Sequence, residues 1–136
     1  MKEKEYTSQD AVIIFVCEHG AAKSILAAAY FNKFAQERNL RLHAIARGTH
    51  PDEEISPITV AGLHADGLHP NESIPQKLSL EDIETAQQII SFCELADEFQ
   101  RKENFEQWKD VPPVSENYEK ARDMIVEYLR HLINRL

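Results

Sequence analysis

The sequence predicts an α/β fold built on a doubly wound parallel sheet. Ala11 to Cys17, AVIIFVC, is an unbroken apolar run rich in β-branched residues, the pattern of a strand buried on both faces. Strand-like and helix-like stretches then alternate along the rest of the chain. Cys17 and Cys93 each close an expected strand, and in this architecture ligands sit beyond the carboxyl ends of the strands.

The elements follow in order. Ser24 to Gln36 are strong helix formers, with Ala27, Tyr30, Phe31 and Phe34 at the spacing of one buried face. Leu42 to Ala46 reads as a second strand, stopped by Gly48 and the turn Thr49-His50-Pro51. Ser56 and Pro57 suit the N-cap and first residue of a short helix, and Gly67 suits its end. Ser79 with Asp82 three residues on resembles a capping box. Ala86 to Phe92 is the next expected strand. A last helix is expected from near Ser115, because Tyr118, Ala121, Ile125, Leu129 and Leu132 form one apolar stripe.

Composition narrows the function. A chain of 136 residues suits one domain, 1–136, preceded by a polar arm from Met1 to Asp10. The net charge of −8, from 15 Lys+Arg against 23 Asp+Glu, argues against nucleic acid and anionic membrane as partners, since both select a positive surface. Two cysteines are too few for a disulfide framework, and the charged start MKEKEYTSQD is unlike a signal peptide. No run is long enough to span a bilayer. A cytoplasmic, reducing setting is expected.

The chemistry concentrates between the first strand and the first helix. Cys17-Glu18-His19-Gly20-Ala21-Ala22-Lys23-Ser24 places loop amides at the positive end of a helix, a cradle for an oxyanion. The amides of Glu18 through Lys23, with the Lys23 ammonium, are expected to favour the Cys17 thiolate, a nucleophile toward phosphorus or arsenic. Ser24 can donate a hydrogen bond to that sulfur and help it leave. Gly20 permits a backbone angle that other residues resist.

Cys, five residues, a basic residue, then Ser resembles the signature of the low-molecular-weight protein tyrosine phosphatases and the arsenate reductases that share their fold. Ala46-Arg-Gly-Thr-His-Pro51 resembles the family's segment after the second strand, and Pro57 to Gly67 and the strand ending at Cys93 also fall where the family has them. The resemblance implies a three-layer α/β/α domain with a four-stranded parallel sheet. It implies a cysteine-dependent enzyme acting on phosphate monoesters, such as phosphotyrosine, or on arsenate. No cofactor is implied beyond a thiol reductant, thioredoxin or a small thiol, for a reductase.

This chain departs from the family's pattern at several positions. Lys23 stands where the family has Arg, and an ammonium is a point charge that cannot grip two oxygens through a planar fork. His19-Gly20 replaces the Gly-Asn pair after the nucleophile. Aligned on Trp108 and Pro113, the family's general-acid Asp falls at Pro112, so Asp110 is the nearby substitute. A positioned acid typically contributes about 10²- to 10⁴-fold for an ester, whereas arsenate releases only water or hydroxide and needs less help. Cys93 sits at the position of the reductases' resolving cysteine, but their third cysteine is Gln100 here. A complete thiol relay is therefore absent, while a Cys17–Cys93 disulfide or an external thiol remains open.

Other readings have less support. A Walker-type nucleotide loop wants Gly where this chain has Cys17 and Ala22. A zinc site from Cys17, His19 and Cys93 matches no usual ligand spacing, so no metal is expected. Among the histidines, His19 and His50 are the candidates to meet a ligand. Trp108 reads as packing, and Asp52-Glu53-Glu54 as solvated surface. A binding module that kept the cradle and lost turnover is the alternative function, favoured by Lys23 and Pro112.

Overall fold

Strand β1, Ala11–Cys17, lies inside a parallel sheet of order β2-β1-β3-β4, completed by β2, Leu42–Gly48, β3, Gln88–Ser91, and β4, Phe105–Gln107. The computed structural model describes residues 11–100 and 103–136; the polar arm expected at Met1 to Asp10 lies outside them. Strand residues alternate between faces. Ile13, Phe15 and Cys17 accordingly join one core with Leu26, Phe31, Leu63, Ile125 and Leu129, while Ile14 and Val16 join a second with Leu78, Ile83 and Ile89. Helices α1, Lys23–Glu37, α2, Pro57–Ala65, and α4, Tyr118–Asn134, thus cover one face, and the short α3, Leu80–Thr85, covers the other. The expected four-stranded parallel sheet between helical layers is the observed fold.

Local signals act as read. The Ser56 side chain accepts from the Thr59 amide with Pro57 opening α2, and Gly67 adopts a φ of 83° just beyond the helix. The Ser79–Asp82 capping box is reciprocal, at 3.1 and 3.0 Å.

Boundaries differ where side chains redirect the chain. Strand β2 runs through Gly48, because Gly48 pairs with Cys17 and exchanges backbone hydrogen bonds with 76–78. Strand β3 is shorter than expected: the Ala86 amide still caps α3 through Asp82, and Ser91 Oγ takes up the Cys93 amide and carbonyl, at 3.1 and 2.6 Å. Helix α4 starts at Tyr118, not Ser115, because Asn117 is extended and its side chain accepts from the Lys120 amide. The α4 stripe is buried at Ala121, Ile125, Leu129 and Leu132. Three residues, Phe-Glu-Gln, form β4, too few to show a periodicity.

One polar hub joins the three helices of the covered face. Asp66, at the end of α2, accepts from Tyr30 on α1 at 2.6 Å, from Tyr118 on α4 at 2.8 Å and from Arg122 on α4 at 3.2 Å. Gly62 admits the Tyr118 ring, since a Cβ there would lie 2.3 Å from it. Burial pushes the Asp66 carboxyl up, but the hydrogen bonds from Tyr30 and Tyr118 and the Arg122 charge outweigh it and hold the carboxyl below its ordinary value. A depressed carboxyl stabilises the fold above its unfolded pKa and stops doing so as pH falls through its folded pKa. Asp66→Asn should therefore cost about 1–3 kcal/mol at neutral pH in urea unfolding, by weakening charged hydrogen bonds. The gap from wild type should narrow toward low pH, below the ordinary carboxylate range.

Candidate active site

The parallel register brings Cys17 level with Gly48 and Val16 level with Ser91, so the carboxyl ends of β1, β2 and β3 meet at one edge. There the loop after β1 turns into α1. Gly20 has φ 61° and lies so close to Gly48 that a Cβ on Gly20 would sit 2.9 Å from the Gly48 backbone, and one on Gly48 2.6 Å from the Gly20 nitrogen. Two side chains are excluded by this contact, and Gly20 also needs the left-handed conformation.

The segment after β2 braces the loop from outside. Amides of Thr49, His50, Asp52 and Ser56 donate to the carbonyls of Cys17, Glu18, His19 and Ala21, at 3.2, 2.7, 3.0 and 3.0 Å. A trans peptide points its C=O and N–H in opposite directions, so the amides of Glu18, His19, Gly20 and Ala22 face away from that brace. Among the described residues none of these four amides donates to a protein acceptor. Ala22 is the N-cap of α1 and supplies no side-chain cap, which leaves the first turn of the helix open to an anion.

Cys17 is 7% exposed at the floor of this loop. Its Sγ lies 3.0 Å from Ser24 Oγ, and Ser24 is fully buried. A hydroxyl in the first turn of a helix would ordinarily serve the backbone; here it serves the sulfur. A cleft of about 450 Å³ opens above, with Cys17, Glu18, His19, Ala21, Ala22 and Lys23 in its lining, Cys93 and Phe92 on one side and Pro113, Val114 and Ser115 on another. Among the described residues no carboxylate pairs with Lys23, which lines the cleft. No group of three or more His, Cys, Asp or Glu among the described residues could hold a metal ion.

Other candidate residues fall on both sides of the cleft boundary. Cys93 lines the cleft, half-buried, as a free thiol like Cys17. Burial pushes the Cys93 thiol up, against the lowering effect of its Ser91 hydrogen bond, and the Cys17 charge adds to the rise. Asp110 does not line the cleft: its carboxylate accepts from Tyr128 on α4 at 2.5 Å. Tyr128 in turn stacks on the buried Trp108, centroids 4.6 Å apart, and Trp108 also packs on Phe15 and Phe92. Trp108 is thus a packing residue that seats the 108–115 loop. His50 contributes its backbone to the brace, and its side chain turns to Thr49.

Asp52 is exposed, as expected of solvated surface, but sequence reading missed that it also lines the cleft, with its Oδ1 3.2 Å from His19 Nδ1. Phe92, Ser56 and the wall from Pro113 to Ser115 were also not singled out, because their place depends on tertiary structure.

A sequence model of the low molecular weight phosphotyrosine protein phosphatases matches residues 12–128. The chain belongs to this family. The low molecular weight protein tyrosine phosphatase of T. tengcongensis is 18% identical, with a TM-score of 0.83 over 93% of this chain and 99% of that one. The arsenate reductase of Archaeoglobus fulgidus is 21% identical, with a TM-score of 0.72 over 90% and 98%. The arginine phosphatase YwlE, determined with Ser in place of Cys and phosphorylated there, is 22% identical, with a TM-score of 0.81 over 92% and 95%. No curated protein matches the chain in sequence. The fold is therefore shared by proteins of different activity, and no helix among the described residues is long and apolar enough to cross a membrane.

The raised Cys93 thiol makes a direct prediction. In a Cys17→Ser variant, iodoacetamide alkylation of Cys93 should titrate with a midpoint above the ordinary thiol value, because burial persists without Cys17. A midpoint at or below that value would contradict the burial of this thiol.

Proposed function

We propose that this protein is a cysteine-dependent enzyme that takes a phosphate monoester or arsenate into the cleft and attacks it with the Cys17 thiolate. The observation that carries the reading is the contact of Cys17 Sγ with Ser24 Oγ, 3.0 Å, inside a loop whose carbonyls at Cys17, Glu18, His19 and Ala21 are turned onto the brace. The amides of Glu18, His19, Gly20 and Ala22, with Ala21 and Lys23 beside them, form the seat for the equatorial oxygens. Lys23 balances the charge. Ser24 donates to the sulfur and stabilises it when the S–P bond later breaks. A reducing cytoplasmic setting suits a mechanism that needs a free thiolate.

For an ester, the sulfur bonds to phosphorus as the P–O bond to the alcohol breaks, and water then displaces the sulfur as phosphate forms. For arsenate, the sulfur displaces hydroxide from arsenic. A second thiol then attacks the Cys17 sulfur, forming a disulfide while two electrons pass to arsenic, and arsenite departs. Cys93 is the internal candidate for that thiol because it lines the same cleft, and a thioredoxin-type protein or a small thiol would reduce the disulfide afterwards. Lys23 in place of Arg and Pro112 in place of Asp favour the second reading, a phosphate- or phosphoprotein-binding module without turnover.

An aryl phosphate assay run beside an arsenate assay with added thiol separates these readings. Wild type should hydrolyse the ester, and Cys17→Ser should abolish both activities. Lys23→Arg should raise kcat/KM for the ester by about tenfold, roughly one extra charge-assisted hydrogen bond. Arsenite release that needs both thiol and Cys93 assigns reductase activity. Phosphate that protects Cys17 from alkylation, with no turnover of either substrate, assigns the binding module.

A further inference from the structure

We propose that His19, oriented by Asp52, is the general acid and base of ester hydrolysis at Cys17, a role that no carboxylate of the 110–115 loop can fill. The inference rests on the phosphatase reading of the cleft. That loop presents only Pro113, Val114 and Ser115 to the cleft, and Asp110 is engaged by Tyr128. The ionisable side chains that do line it are Cys17, Glu18, His19 and Lys23 from the loop, Asp52 from the brace and Cys93 from beyond β3. Cys17 is the nucleophile and Lys23 the counter-charge. Cys93 is half-buried, and burial pushes its thiol up.

His19 is the member of this set that brings an imidazole, the commonest side chain for general acid and base work, and is held by a partner. Asp52 grips it twice: its Oδ1 lies 3.2 Å from His19 Nδ1, and its amide donates to the His19 carbonyl at 3.0 Å. No ion pair among the described residues holds Glu18 in a comparable way. With Nδ1 committed to a carboxylate, Nε2 is the ring atom left for substrate, the division of labour of any carboxylate–histidine pair. His19 lines the cleft with its side chain 59% exposed, whereas Cys17 is 7% exposed at the floor, and an ester's leaving group departs toward the open side when Cys17 attacks from the floor.

In the first step the S–P bond forms, the P–O bond breaks, and its electron pair leaves on the oxygen with a proton from Nε2. In the second, neutral Nε2 takes a proton from water as the new P–O bond forms, and the S–P pair returns to Cys17, where Ser24 donates to it. The cycle ends with alcohol, phosphate and protonated His19. His19 is the catalytic residue and Asp52 a positioning residue.

Leaving-group dependence tests the assignment, because a proton donor matters for a basic leaving oxygen and little for an acidic one. His19→Asn should lower kcat/KM, which reads only the steps through departure of the leaving group, by about 10²-fold or more for phenyl phosphate, yet change kcat/KM for 2,4-dinitrophenyl phosphate by less than about threefold, since that leaving group needs no proton. Asp52→Asn should lower kcat/KM for phenyl phosphate only, by about tenfold, and displace its pH profile. Phosphate protection of Cys17 from alkylation should persist in both variants. Equal slowing of the two esters, no slowing of either, or loss of protection in His19→Asn overturns the proposal. Wild type that hydrolyses neither ester while phosphate still protects Cys17 overturns it and spares the anion seat; absence of protection in wild type removes the seat as well.

Discussion

The site depends on two backbones being allowed to touch. Gly20 and Gly48 meet at a distance that no Cβ on either side would permit, and that contact holds the loop after β1 against the segment after β2. The four hydrogen bonds that follow fix the carbonyls of Cys17, Glu18, His19 and Ala21 on the outer side. Peptide geometry then does the rest, since each carbonyl so anchored commits the next amide to the opposite direction. The donors of the seat are preorganised by the sheet register, not by the ligand.

The rest of the fold supports this edge from below and beside it. Period-two alternation in β1 puts Phe15 and Cys17 on the same face, so Cys17 rises directly from the larger core. The stack of Tyr128 on Trp108, itself packed against Phe15 and Phe92, seats the third wall of the cleft on that same core. The Asp66 hub ties α1 to α4 within the helical layer. Loop, wall and helix are therefore referenced to one another through packed aromatic and aliphatic groups that have little freedom to shift.

Much of this was legible in the residues because the signals are local. The apolar run of β1, the caps at Ser56 and Ser79 and the stripe of α4 each depend on neighbours a few positions away, and each formed where expected. Cys17, Lys23 and Ser24 were legible for the same reason, lying within one short loop. Asp52 was not, because nothing near it in the chain distinguishes it from Glu53 and Glu54; what sets it apart is a contact with a residue 33 positions earlier (52 − 19). Asp110 illustrates the converse. Its place beside Trp108 suggested a catalytic acid, and a tyrosine 18 positions away holds it elsewhere. Strand β4 has three residues, below the length at which alternation can be seen, and only the edge of β3 organises it.

Ser24 turns its hydroxyl to the sulfur instead of the backbone, and Ala22 has nothing to offer as a cap. Helix α1 therefore begins with unmet donors, whereas the other α-helices among the described residues start on Ser56, Ser79 and Asn117. On the proposed function, an oxyanion arriving there would supply the missing cap. Occupancy and folding would then be thermodynamically linked, and the resistance of the whole chain to unfolding would become a gauge of how much phosphate or arsenate surrounds it.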